Sequence, residues 1–365
     1  MKKISRLFFR IFLLVWVCAF FSAHCAGAGV VLALSGGGTR GFAHIGVIEV
    51  LEEHSIPVVG VVGTSIGALI GGLYASGYNT MELRTVVTEL DLPALLSENT
   101  GPMFVFTGDD HNAKMNTISA LTYKKSGTHG GPLGILTGDK LFQYFMNLMK
   151  HVDFTDFSEL PIPYAAIASD IQTGEKVVLR SGSLPSAMRA SMSIPALFEP
   201  WHIDGRTLVD GGLVSNLPIE TARELFPGCP VIAVDVSDYP SDERPINTII
   251  DIIDQSLTIV MRRTTLEESR LADLVIAPSV QEFSFLDSST ADKIIARGKE
   301  AALASIDKIR ALSASSKSDV SERKPSPMPS VIDDIRIQGL PDTISDHQPK
   351  SRKVKAVSNI SNNFE

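Results

Sequence analysis

VVGVVGTSIGALI, residues 58–70, changes its period in the middle. Val58, Val59, Val61 and Val62 form a short β-branched run, Gly63-Thr64-Ser65-Ile66-Gly67 interrupts it, and Ala68-Leu69-Ile70 continue with residues suited to a helix. A strand that turns directly into a helix is the building unit of layered α/β proteins. The interruption is a G-x-S-x-G. Its glycines permit a strained turn without Cβ crowding, which lifts a serine hydroxyl above the sheet edge. Ser65 is therefore the candidate nucleophile, with a plain structural turn as the alternative.

Outward from this stretch, residues 29–311 alternate short β-branched runs with longer helical periods, the pattern of one α/β layered domain. Strands are expected at 30–34, 58–62, 162–168, 176–179, 207–209, 231–236 and 274–276. Helices are expected at 41–53, 65–76, 138–149, 216–225, 246–269 and 288–312. In the first helix Phe42, Ile45, Ile48 and Leu51 recur every three residues and make one apolar stripe. Residues 99–137 are irregular and glycine-rich, a long loop that reads either as a lid or substrate-binding surface or as a surface excursion.

Ser35-Gly36-Gly37-Gly38-Thr39-Arg40-Gly41 follows the first strand and opens the first helix. Successive glycine N–H groups beside a helix N-terminus favour an anion or a developing oxyanion. Gly36, Gly38 and Gly41 also satisfy G-x-G-x-x-G, so dinucleotide binding is a rival reading. That reading needs an acidic residue at the end of the second strand. Glu52 and Glu53 instead lie in the intervening helix, and the strand ends in Val61-Val62-Gly63.

A nucleophilic serine needs a base, and hydrolases usually order it Ser, Asp or Glu, then His. The histidines are badly placed for that. His347 lies past a linker, and His44 and His54 read as helix-surface or partly buried side chains. Asp210, in Thr207-Leu208-Val209-Asp210-Gly211-Gly212, sits at a strand's C-terminal edge, where α/β active sites gather. Asp-Gly is also a common turn dipeptide, so a turn aspartate stays open.

Taken together, Gly36-Gly37-Gly38-Thr39-Arg40-Gly41, Gly63-Thr64-Ser65-Ile66-Gly67 and Asp210-Gly211-Gly212 resemble the motifs of the patatin-like phospholipase family. The segment 189–198 (RASMSIPALF) resembles the block that precedes the family's aspartate motif. The resemblance runs from about Val30 to Ala311. It implies a three-layer α/β/α sandwich around a central, mostly parallel sheet. It further implies a serine lipid acyl hydrolase working through a Ser65–Asp210 dyad, with an oxyanion hole at Gly37 and Gly38, positive charge from Arg40, and no metal or other cofactor. The substrate would be a lipid or other ester, met at a membrane surface. A catalytically silent patatin-fold module that binds lipid or a partner is the alternative within the same fold.

The N-terminus carries Lys2, Lys3, Arg6 and Arg10, then an apolar run from Ile11 to about Ala23, then Ala26-Gly27-Ala28. The run is shorter than the roughly 20 residues a spanning helix needs, and the whole reads as a signal peptide cleaved after Ala28. The mature chain would be exported to the periplasm, the outer membrane or the medium. Its net charge would move from -8 to -12, and Cys229 would be its only cysteine, with no intramolecular disulfide. Such an acidic balance offers no field for holding nucleic acid. Residues 313–330 turn to Ser, Pro and Lys, a linker composition. Residues 331–365 then form a tail or the start of a further domain, VIDDIRIQGL faintly resembling the opening of a polypeptide-transport-associated domain.

Overall fold

The structure, a computed structural model, describes residues 29–90, 92–96, 134–237, 246–247 and 249–315. The expected leader, most of the 99–137 stretch, most of the linker and the whole tail lie outside the described residues. In chain order the elements begin β1 (Val30–Leu34), a 3-10 turn at Gly38–Phe42, α1 (Ala43–Glu53), β2 (Val58–Thr64), α2 (Ile66–Ala75), α3 (Thr80–Thr88) and α4 (Leu92–Leu96). Then come β3 (Gly134–Leu136), α5 (Asp139–Leu148), β4 (Tyr164–Asp170), β5 (Lys176–Leu179), α6 (Leu184–Ser191), β6 (Ala196–Phe198), β7 (Trp201–Ile203) and β8 (Arg206–Asp210). After the turn Gly211–Leu213 follow α7 (Ile219–Leu225), β9 (Val231–Val234), α8 (Ile249–Ser269), β10 (Leu274–Ile276), α9 (Ala291–Ala304) and α10 (Ile306–Ser315).

The main sheet has the order β10-β9-β1-β2-β4-β8-β7, with β5 also paired to β4. Strands β10, β9, β1, β2 and β4 are mutually parallel. Strands β5, β8 and β7 are joined antiparallel. The expected mixed α/β architecture with a mostly parallel sheet is what the chain adopts. Every residue of β1 is buried, as a parallel strand covered on both faces requires. On one face Val31, Ala33, Val62 and Ile167 meet Leu217, Ile219 and Ala222 of the α7 region. On the other, Leu34 and Val61 face α2 at Gly71.

Several expected boundaries shift for local reasons. Strand β4 begins at Tyr164 because Pro163 has no N–H to give the ladder, though its carbonyl accepts from Val61 N (2.9 Å). The helix expected from 216 begins at Ile219, after Pro218. The helix expected over 288–312 is two helices, interrupted at Ser305. Residues 134–136, expected to be irregular, form β3, because Gly134 and Leu136 pair with Ala196 and Phe198 of β6. The last helix runs to Ser315, into the start of the linker composition. The expectation of a lone cysteine concerned a chain lacking residues 1–28. In the full chain Cys229 is disulfide-bonded, with its partner outside the described residues.

Candidate active site

Strand β4 brings the two key sequence motifs together. It carries β5 along one edge, opposite Ala166 to Ser169. The other edge is shared: β2 arrives parallel and ends with Thr64 opposite Ile167, and β8 arrives antiparallel and ends with Asp210 opposite Ala168. The C-terminal ends of β2 and β8 therefore meet head-on at consecutive residues of β4. Ser65 is the next residue after Thr64. Its backbone is strained, with φ 55° and ψ −123°, a left-handed conformation that a serine adopts only when its surroundings impose it.

The constraints are visible around it. Ser65 N donates to Ser191 Oγ (2.8 Å), and Ser191 Oγ donates to Ile167 O (2.6 Å), bolting the elbow to β4. A Cβ on Gly63 would collide with Gly67 O, and one on Gly67 would collide with Leu34 O, so the turn closes only with glycine at both ends. Gly211 is held equally close to Ile167 O, which seats the turn after Asp210 on the same strand.

Asp210 is buried, and its carboxylate accepts from Gly212 N at 2.8 Å. Burial pushes its pKa up from 3.8 to about 6, while the Gly212 amide and the Ser65 hydroxyl, both hydrogen-bonding to the carboxylate, pull it down.

The glycine run lies across from this pair. Gly36 N donates to Asn216 O (3.3 Å) and Thr39 N to Phe285 O (3.0 Å), whereas the amides between them, on Gly37 and Gly38, have no acceptor among the described residues. Gly38 takes φ +61°, and a Cβ there would strike Phe285. Gly36 sits against Asn216 Oδ1 and Ser65 Cβ, and Gly41 against Ile66. These glycines admit the protein's own groups, which leaves the dinucleotide reading without its physical basis. Arg40 is buried; its Nε donates to Gly37 O (3.1 Å) and its Nη2 pairs with Asp254 Oδ1 of α8 (3.3 Å).

Gly36, Gly37, Arg40, Ser65, Asp210 and Asn216 border one cavity of about 30 Å³, lined on another side by Asp254, Leu257, Thr258 and Met261 of α8. A larger groove of about 290 Å³, at Met146, Lys150 and Pro185, contains none of the expected site residues. His44, read as a surface or partly buried side chain, is fully buried. Its Nε2 donates to Ser35 O (2.9 Å), and burial lowers its pKa to about 4, so it stays neutral. His54 caps its own helix, with Nδ1 donating to Val50 O (3.0 Å). Three contributors escaped the sequence reading. Ser191 lay within the quoted 189–198 block without a stated task. Asn216, whose Oδ1 is buried with no partner, and the α8 roof become legible only in three dimensions.

A family model described as Patatin-like phospholipase matches residues 32–223, more than half of the chain and the span that holds all three motifs. The chain belongs to the patatin-like phospholipase family. It is 33% identical over 198 residues to the uncharacterized NTE family protein Rv1063c of Mycobacterium tuberculosis, covering 52% of this chain and 44% of that protein. It is 31% identical over 218 residues to Lysophospholipase NTE1 of Scheffersomyces stipitis, covering 60% of this chain and 12% of that one. This family member thus spans less than half the length of these curated relatives. The solved structure of VipD from Legionella pneumophila aligns over 77% of this chain and 67% of that one, with a TM-score of 0.45 and 14% identity.

Proposed function

We propose that this protein hydrolyses fatty-acyl esters of lipids, with Ser65 as nucleophile and Asp210 as its proton acceptor. The observation that carries the reading is the meeting of β2 and β8 on β4, which sets a strained serine beside a buried carboxylate whose pKa is about 6. Family membership and the similarity to a lysophospholipase support the substrate class.

In the proposed reaction Asp210 takes the Ser65 proton as Ser65 Oγ attacks the ester carbonyl. The tetrahedral oxyanion meets the unpartnered amides of Gly37 and Gly38, donors already oriented before charge develops. Arg40 fixes that loop through Gly37 O, its positive charge partly balanced by Asp254. Collapse breaks the ester C–O bond, the departing alcohol takes the proton from Asp210, and an acyl-Ser65 is left. Water then attacks the acyl carbon, again giving its proton to Asp210, and Ser65 recovers that proton as the fatty acid leaves.

The test is hydrolysis of a short-chain acyl ester and of a phospholipid by the wild type, Ser65→Ala and Asp210→Asn. Both variants should lose on the order of 1,000-fold or more in turnover, because groups that act as a unit fail together. Turnover persisting in Ser65→Ala would sink the proposal.

A further inference from the structure

After Asp210 the chain doubles back on the active site. Val214 N and Ser215 N both donate to Gly211 O (3.1 and 3.0 Å), and the turn they close returns Asn216 to the cavity that Ser65 and Asp210 border. Three contacts then fix this residue. Thr64 Oγ1 donates to Ser215 O (2.9 Å), Gly36 N donates to Asn216 O (3.3 Å), and Asn216 Nδ2 donates to Ser237 Oγ (2.8 Å). With the amide nitrogen committed to Ser237, the amide oxygen faces the other way.

Two glycines show where that oxygen lies. A Cβ on Gly36 would stand 2.7 Å from Asn216 Oδ1 and 3.0 Å from Ser65 Cβ, and one on Gly212 would stand 3.1 Å from the same Oδ1. The oxygen is therefore close both to the nucleophile and to the turn that carries Asp210. Asn216 is 1% exposed, and its Oδ1 has no hydrogen-bond partner among the described residues. Atoms of His44, Thr221 and Thr290 share that condition, but none of those residues borders the Ser65 cavity. A buried acceptor without a partner is destabilising, and one placed beside a nucleophile calls for a donor that arrives during the reaction.

The two halves of the proposed reaction differ in how many O–H groups need an acceptor. In acylation Ser65 brings one, and Asp210 takes it. In deacylation water brings two, and Asp210 takes only one of them. A cavity of about 30 Å³ admits a molecule of that size. The second O–H needs an acceptor of its own.

We propose that Asn216 Oδ1 is that acceptor, a catalytic group of the deacylation half-reaction that holds the hydrolytic water while Asp210 takes its other proton. With both O–H bonds engaged, a lone pair of the water oxygen is left to attack the acyl carbon. The new C–O bond forms as one proton passes to Asp210, and the other stays on the incoming oxygen, donated to Asn216 Oδ1. The bond between Ser65 Oγ and the acyl carbon then breaks, Oγ recovers the proton from Asp210, and the fatty acid leaves with the O–H that Asn216 held. This role rests on the acyl-enzyme reading above.

Methanol provides the test, because it brings a single O–H and needs Asp210 alone. Full-length wild type, Asn216→Leu and Asn216→Asp are given a short-chain p-nitrophenyl ester in water containing methanol, and the free acid and methyl ester formed from the common acyl-enzyme are measured. Leucine fills similar space without an acceptor and should lower the ratio of acid to methyl ester on the order of 10-fold, the loss of one hydrogen bond made only by water. Aspartate keeps the oxygen and should hold the ratio within about twofold of wild type, while its charge raises the Asp210 pKa and moves the pH profile upward. Both products come from one intermediate, so the ratio does not depend on how much of each chain folds. A packing role would slow both products alike. An unchanged ratio in Asn216→Leu therefore overturns the inference, as does a ratio in Asn216→Asp that falls with it. Should neither variant fold, the wild type decides: per mole of acceptor water should outcompete methanol, and a preference for methanol overturns the inference. Absence of acyl-Ser65 from acid-quenched wild type, read by mass spectrometry, would remove the acyl-hydrolase reading and this role together, whereas acyl-Ser65 with an unmoved ratio removes the role of Asn216 alone.

Discussion

Burial holds the Asp210 carboxyl near pKa 6, and the same burial sets activity against stability at this residue. The ionised carboxylate is the proton acceptor, so kcat/KM should rise as pH climbs through about 6 and level off above it. Stability runs the other way. The folded pKa lies above the ordinary 3.8, so the folded chain keeps a proton that the unfolded chain releases. Below about pH 4 the group costs nothing, and as pH rises through about 6 the buried charge costs on the order of 3 kcal/mol. Asp210→Asn keeps the acceptor for Gly212 N and removes that charge. It should therefore be more stable than wild type at about pH 8, with the advantage fading toward about pH 4, as urea unfolding at the two pH values would register. An equal stability difference at both would contradict a raised Asp210 pKa.

At this scale Ser65 and Asp210 were unequally legible. Ser65 stood out because strand, glycines and helix surround it in one continuous stretch. Asp210 looked the same as any Asp-Gly turn until β4 placed it one register position beyond Thr64. His44, already set aside in the sequence as a helix-surface or partly buried side chain, is fully buried against Ser35 O.

Among the elements, the elbow between β2 and α2 depends on glycine for two separable reasons, space and backbone conformation. Gly67 has an ordinary helical place, but its missing Cβ lets α2 rest on the carbonyls of Leu34 and Ser35. Gly67→Ala should cost about 3 kcal/mol or more, because backbone cannot yield as a flexible side chain does. Gly174 has φ +74° and nothing within 4 Å of a Cβ, so Gly174→Ala should cost about 1 kcal/mol from conformation alone. Urea unfolding of the two variants measures the contrast, and equal losses would contradict it. Elements with long apolar periods were readable, as was the three-residue β10 at 274–276, whereas β3, β6 and β7 were not. Strands β3 and β6 exist because they pair with each other, a non-local fact. Helix α3 was legible yet missed: Asn79 and Glu82 form a capping box, a three-residue spacing visible in the chain.

For the molecule as a whole, the order of sheet strands gathers motifs that are 145 residues apart in the chain at one edge, and a helix later in sequence covers them. The glycine loop, the elbow and the aspartate turn were each readable, but their cover was not, because the roofing face of α8 is defined only by what lies beneath it. No helix among the described residues is long and apolar enough to cross a membrane. The composition of residues 1–28 leads us to expect export, with a mature N-terminus at Gly29 that intact-mass measurement of the exported protein would register; an exported chain that retained Met1 would contradict it.

The most direct measurement is covalent trapping: wild type, Ser65→Ala and Asp210→Asn are treated with a fluorophosphonate ester, digested, and sequenced by mass spectrometry. Modification of Ser65 alone in the wild type, no adduct in Ser65→Ala, and labelling of Asp210→Asn slowed on the order of 100-fold or more are the expected results. An adduct on another residue, or labelling that survives in Ser65→Ala, would contradict the assignment of Ser65 as nucleophile.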